Sequence, residues 1–264
     1  MRGAFSSEWV KLRRRAMLLW GLGGGLFFAL LATVFTIERA VRTPQLFGGG
    51  HGVRVTFAVL EQPDGLTHGI VDVSGLIGIV ALCLFAGAFA TEYSQGTMRN
   101  LLVREPRRAR LLSGKFLALG AFIAIAVVLE IVVSSAVAFA LAPGRGISTA
   151  AWTSSTGLND LGQATLHVFL ASLGYGLLGA AFGVLLRSPG VAIGTAVAYI
   201  LPGEAIIVGA IWGNGDRWLP GQLLDALAHG GNDNSSYGHA LLTLAIYMAA
   251  IAAGTLWLFR HRDA

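Results

Sequence analysis

The sequence predicts an all-α, polytopic membrane protein with six transmembrane helices, and three observations carry that reading. Hydrophobic residues make up 55% of the 264 positions and charged residues only 12%, a balance that suits a bilayer better than a solvated surface. The apolar residues gather into six runs, each near the roughly 20 residues needed to cross a hydrocarbon core of about 30 Å. The basic residues cluster at the ends of those runs and form no stripe interleaved with aromatics. The net charge of +5 therefore reads as membrane topology, and no nucleic-acid partner is expected.

Residues 1–15 predict an interfacial helix. Phe5, Trp9 and Leu12 fall at i, i+4 and i+7, and Lys11 and Arg13 to Arg15 follow, so the apolar edge would face lipid and the cations its phosphates. Glu8 early and arginines late also suit the helix dipole. Arg13, Arg14, Met17 and Leu18 imitate a twin-arginine export signal, but five further spans follow and no small-residue cleavage site is evident.

The six spans are Ala16 to Ile37, Ile70 to Ala90, Phe116 to Leu141, Leu166 to Leu186, Val191 to Trp212 and Ala240 to Phe259. Span one carries Gly21, Gly23, Gly24 and Gly25, which strip one face so that another helix can approach. Gly179 with Gly183, and Gly190 with Gly194, repeat that spacing. Six spans place both termini on one side. That side holds fourteen Lys and Arg residues: five before span one, six between spans two and three, Arg187, and Arg260 with Arg262. Arg39, Arg42, Arg54, Arg145 and Arg217 make five on the other. Both termini are therefore expected in the cytoplasm.

On the external side, Glu38 to Gly69 form a turn-rich loop in which His51 and His68 stand far apart, so no metal site is expected. Cys83 is the sole cysteine and forms no intrachain disulfide. Pro143 to Thr165 reads as a connector. In the third loop, 213–239, Pro220 suits a first helical turn and Leu223, Leu224 and Leu227 make one face, predicting a short external or re-entrant helix. Glu130 and Glu204 lie in mid-membrane, where an ionised side chain costs roughly 2.5 to 3.5 kcal/mol and no span supplies a Lys or Arg. They are expected to face a cavity or subunit interface and to line a substrate pathway, protonated or in contact with a polar or cationic substrate, or else to be protonated carboxyls bonded to a neighbouring helix. Pro202 should kink span five.

The cytoplasmic stretch 91–115 is a dense polar island. Arg99, Arg104, Arg107, Arg108, Arg110 and Lys115 stand there against Glu92 and Glu105. Thr97 to Arg104 can make about two helical turns, with Met98, Leu101 and Leu102 on one side, before Pro106 stops them. So short a helix is marginal alone and calls for a surface to dock on, lipid headgroups or another protein. No phosphate-binding GxxxxGK[ST], HExxH or GxSxG motif is present, so no catalysis is expected of the chain itself.

With these residues in view, the chain resembles the membrane-spanning permease subunits of bacterial ABC-2 type ABC transporters. SSEWVKLRRR, Ser6 to Arg15, is similar to the family's amphipathic connecting helix. FAGAFATEYSQGTMRNLLVREPRRARLLSGK, Phe85 to Lys115, is similar to its most recognisable pattern, and six spans with an external helix before the last complete the likeness. Positions matching that pattern are Glu92, Gly96, Thr97, Arg99, Leu101, Leu102, Pro106, Arg110 and Lys115. The resemblance implies that residues 1–264 form one permease domain of an exporter in the bacterial inner membrane. It further implies that the loop is a coupling helix seated in a groove of a separate ATPase subunit, that two such subunits carry the ATP and magnesium, and that a second permease subunit completes the core. The family's cargoes are diverse, and the likeness does not choose among them. Two other readings are a stand-alone, ion-coupled secondary transporter using Glu130 and Glu204, and a membrane protein of immunity or signalling. The halves show no inverted repeat to favour the former, and no soluble domain favours the latter.

Overall fold

The computed structural model describes residues 2–42, 55–96 and 108–261. Among them the only strand-like pairings are two isolated bridges, and six helices are long and apolar enough to cross a membrane. A helix at Arg2–Leu12 precedes span one at Arg15–Glu38. Span two is Ser74–Ser94, span three Arg108–Arg145, span four Ser155–Leu186 and span six Tyr237–His261. Span five starts at Pro189, and its α-helical turns alternate with wider π turns at Tyr199–Gly203 and Ile207–Ile211.

Between membrane helices water expels nothing, so association rests on close packing and on polar bonds. Spans two and four show how. Three close contacts between them keep one sequence offset, Gly78 on Tyr175, Gly179 on Leu82 and Gly183 on Ala86. The two helices therefore run parallel with backbones nearly touching. A Cβ on Gly179 would stand 2.1 Å from the Leu82 carbonyl oxygen and one on Gly183 2.7 Å from that of Ala86. Span one packs its small-residue stripe inward. Gly21 faces Leu84 and Phe122, Gly25 faces Glu130, and Ala29 and Thr33 are buried. Gly190 and Gly194 differ from the other pairs, because nothing lies within 4 Å of where their Cβ atoms would be.

Several boundaries depart from their expected places. Span two begins at Ser74, because a short helix at His68–Asp72 precedes it and the chain leaves helical geometry at Val73. Span four begins at Ser155, well before the apolar run, where Ser154 caps it by accepting a hydrogen bond from the Gly157 N–H at 3.1 Å. Hydropathy shows only the hydrocarbon-embedded part of such a helix. The stretch expected to be a connector instead carries Trp152, which is buried and donates through Nε1 to the Leu60 carbonyl at 2.7 Å. Together with Ile37, Leu66, Ala138 and Ile147 it forms an apolar cap over the outer end of spans one and three. The third loop holds the anticipated short helix, Pro220–Ala228, with Leu223, Leu224 and Leu227 buried against Tyr175 and Leu178.

Candidate coupling junction and membrane-buried acids

At the end of the bundle that carries the termini, three helices meet around four charges. On Arg2–Leu12, Phe5 and Trp9 stack at 5.7 Å between ring centroids, and Leu12 is buried in the main core. The apolar edge expected to face lipid packs in part on protein, with Phe5 and Trp9 half-buried against the core. That docking turns Glu8 and Lys11, one helical turn apart, toward the ends of spans two and three. Lys115 Nζ lies 2.7 Å from Glu92 Oε1 and 3.6 Å from Glu8 Oε2. Lys11 Nζ lies 2.8 Å from the same Glu92 oxygen and 2.5 Å from Glu8 Oε1. The Lys115 ammonium also donates to the Ala88 carbonyl at 2.8 Å and sits 4.8 Å above the Phe89 ring.

The cluster is neutral in sum. It is also deeply placed, with Lys115 only 4% and Glu92 7% exposed. Ions so far from water are tolerated only when paired and hydrogen-bonded, and removing one partner strands the rest. Lys11, expected at the lipid phosphates, is a member of this network. Burial disfavours its charge, but hydrogen bonds to Glu8 and Glu92 outweigh that and raise its pKa above the ordinary lysine value. A raised folded-state pKa means that its contribution to stability is fully present below the ordinary value and fades only in strong alkali.

The sequence placed Glu92, Gly96 and Lys115 in one functional stretch, and the structure brings Glu92 and Lys115 into contact. Gly96 follows span two with φ +65°, a left-handed conformation that glycine adopts without strain. Thr97, Arg99, Leu101, Leu102 and Pro106 lie outside the described residues, as does the side chain of Arg110, whose backbone is in the first turn of span three. Glu8 was missed as a partner. Its signal was its spacing to Lys11, one helical turn on, beside the edge made by Phe5 and Leu12. Arg187 was also missed. It ends span four at φ 55°, rare for a residue with a Cβ, and its guanidinium lies 5.3 Å over the Tyr93 ring beside the same junction.

The two membrane-embedded acids have separate surroundings. Glu204, fully buried between the two π turns of span five, reaches the helix Pro220–Ala228. Its Oε1 accepts the Gly221 N–H at 2.9 Å and its Oε2 the Gln222 N–H at 3.1 Å. A carboxylate from one element thus caps the N-terminus of another, satisfying two first-turn amides and meeting the positive end of the helix dipole. Gly221 permits the approach, since a Cβ there would stand 2.6 Å from Glu204 Oε2. Glu130 faces span one at Gly25 and is only 2% exposed. Its Oε2 has no hydrogen-bond partner among the described residues.

Beside the Glu204 cap, a cavity of about 240 Å³ opens between spans two and five, with Asp72, Tyr175, Gln222 and Asp225 in its wall. Burial raises the Asp72 carboxyl above its ordinary pKa, partly countered by His68 and His229. His229 Nε2 stands 3.9 Å from Asp72 and its Nδ1 3.6 Å from Asp225. His68 is 3.6 Å from Asp64, and His51 is outside the described residues.

Comparison with protein families matches residues 8–211 to the family described as ABC-2 family transporter protein. A search of the curated proteins finds no match. The family match begins at Glu8 of the ion cluster and runs to the end of span five.

Proposed function

The chain belongs to the ABC-2 transporter family, as a multi-pass permease subunit, and from that membership we infer that it is the membrane half of an ATP-driven exporter coupled to a separate ATPase through residues 91–115. Both termini and that loop would be cytoplasmic, in a bacterial inner membrane. Two ATPase subunits would carry ATP and magnesium, and a second permease subunit, identical or related, would complete the pathway. The substrate would cross near that interface.

The observation that supports this reading is the four-charge junction. Glu92 lies in the last turn of span two, Lys115 two turns into span three, and the N-terminal helix is tied to both by Glu8 and Lys11. A push on the loop between them would be transmitted to three helices together, because displacing any one separates buried opposite charges. The loop's apolar Leu101 and Leu102 would supply the docking contact and its arginines the complementary charge.

Affinity purification in mild detergent tests this. An ATPase subunit is expected to accompany the wild type and to be lost from the double variant Leu101→Asp, Leu102→Asp, while the membrane chain still elutes as a folded species. Lys115→Met, which strands buried carboxylates, is expected to cost about 3–5 kcal/mol and to lower recovery of the partner. Absence of an ATPase from both wild type and variants overturns the coupling assignment.

A further inference from the structure

We propose that Glu130 is a proton-binding site between spans one and three, occupied while the two helices are packed and emptied when span one moves away. The inference stands on the geometry of these two spans and does not require the ATPase reading. Within span three, Glu130 lies midway between the ion-paired Lys115 and Arg145 at the outer end. One carboxyl oxygen fills the space left by the missing side chain of Gly25, where a Cβ would overlap it. The other oxygen is buried and has no partner among the described residues, and the same holds for the hydroxyl of Ser134 one turn further on.

An unpaired carboxylate in that position would lack both water and a counter-ion, whereas the neutral acid needs neither. No compensating charge is at hand among the described residues. Span four also packs on span three, but Asp160 is itself an acid, the His167 ring lies against Tyr237, and the Tyr175 hydroxyl donates to the Gly221 carbonyl. In the short helix His68–Asp72, His68 stands by Asp64 and Asp72 by His229. Span one carries no ionisable side chain between Arg15 and Glu38, and span two between Ser74 and Thr91 carries only Cys83, packed in the other main core cluster. Lys115 and Arg145 are engaged with Glu92, Glu8 and Glu38. The proton is therefore the ligand this seat accommodates.

Span one supplies the means of release. Its stripe of Gly21, Gly25, Ala29 and Thr33 faces inward, while Leu19, Trp20 and Phe27 point out of the bundle. It is held along one face only. Separating it from span three would admit water to Glu130 and allow ionisation, and by linkage the bound proton favours the packed arrangement.

The test uses the purified full-length chain in lipid vesicles. Infrared difference spectra at neutral pH are expected to show the carbonyl stretch of a protonated carboxylic acid, lost in Glu130→Gln and retained in Glu204→Gln. Glutamine mimics the neutral acid, so Glu130→Gln should fold and should lose the fall in melting temperature that the wild type shows as pH rises. Dicyclohexylcarbodiimide on the wild type needs no variant. The acid proton passes to a carbodiimide nitrogen, the carboxyl oxygen adds to the central carbon, and rearrangement leaves the whole reagent attached. Mass spectrometry should find it at Glu130, with yield falling as pH rises. A Glu130 that shows no protonated band and takes no label at neutral pH overturns the proposal. So does a melting profile in which wild type and Glu130→Gln respond to pH alike.

Discussion

Glu204 shows how much one side chain can hold in this bundle. Its two oxygens each accept one first-turn amide of Pro220–Ala228, so a single carboxylate fixes the outer helix to span five. Glu204→Leu leaves two amides without acceptors and is expected to destabilise by about 1–3 kcal/mol for each one stranded, with faster proteolysis between residues 213 and 236. Glu204→Gln retains one acceptor oxygen and should lose roughly half as much. Equal melting temperatures for wild type and Glu204→Leu would remove the cap from the account. At this scale the sequence disclosed the unusual residue and not its partner. Glu130 and Glu204 look alike along the chain, both acids in apolar runs, yet one caps a helix and the other meets a bare glycine. Which face of each span meets which neighbour separates them, and no local pattern contains that.

At the scale of elements, glycine has two uses here that spacing alone does not distinguish. Gly179 and Gly183 let spans two and four touch through their backbones, while Gly190 and Gly194, equally spaced, face open space. Gly179→Val should force the helices apart and cost about 1–3 kcal/mol or more by overpacking, seen as loss of monodisperse protein on size exclusion. Gly194→Ala should leave stability of the isolated chain unchanged. Indistinguishable behaviour of the two variants would refute the close approach. The N-terminal helix follows the same logic. Its 3.6-residue periodicity was legible, but whether the apolar edge met lipid or protein depended on the groove beside span three. The polar first turns of span four escaped hydropathy because a local cap at Ser154 and a long-range bond from the buried Trp152 to Leu60 hold them, neither of which lies in the apolar run.

For the whole molecule, the fourteen-to-five split of basic residues predicts a definite orientation. In a Cys83→Ala background, Ser94→Cys near the ion cluster and Ser148→Cys in the outer cap are both surface positions. A membrane-impermeant maleimide added to intact spheroplasts should label Ser148→Cys and spare Ser94→Cys until the membrane is opened. The reverse pattern would invert the topology and place residues 91–115 outside the cell. The sequence by itself determined the class, the six spans, the short helix before the last of them and the membership signalled by residues 85–115. Apolar length, helical period and charge at run ends are read along the chain and need no partner. Only the tertiary structure decided that Glu8 and Lys11 join Glu92 and Lys115, that Glu204 caps the outer helix and that Glu130 rests unpaired against Gly25. Those outcomes depend on which helix faces meet, and in a bilayer, where hydrophobicity no longer separates inside from outside, packing of small residues and pairing of polar groups make that choice.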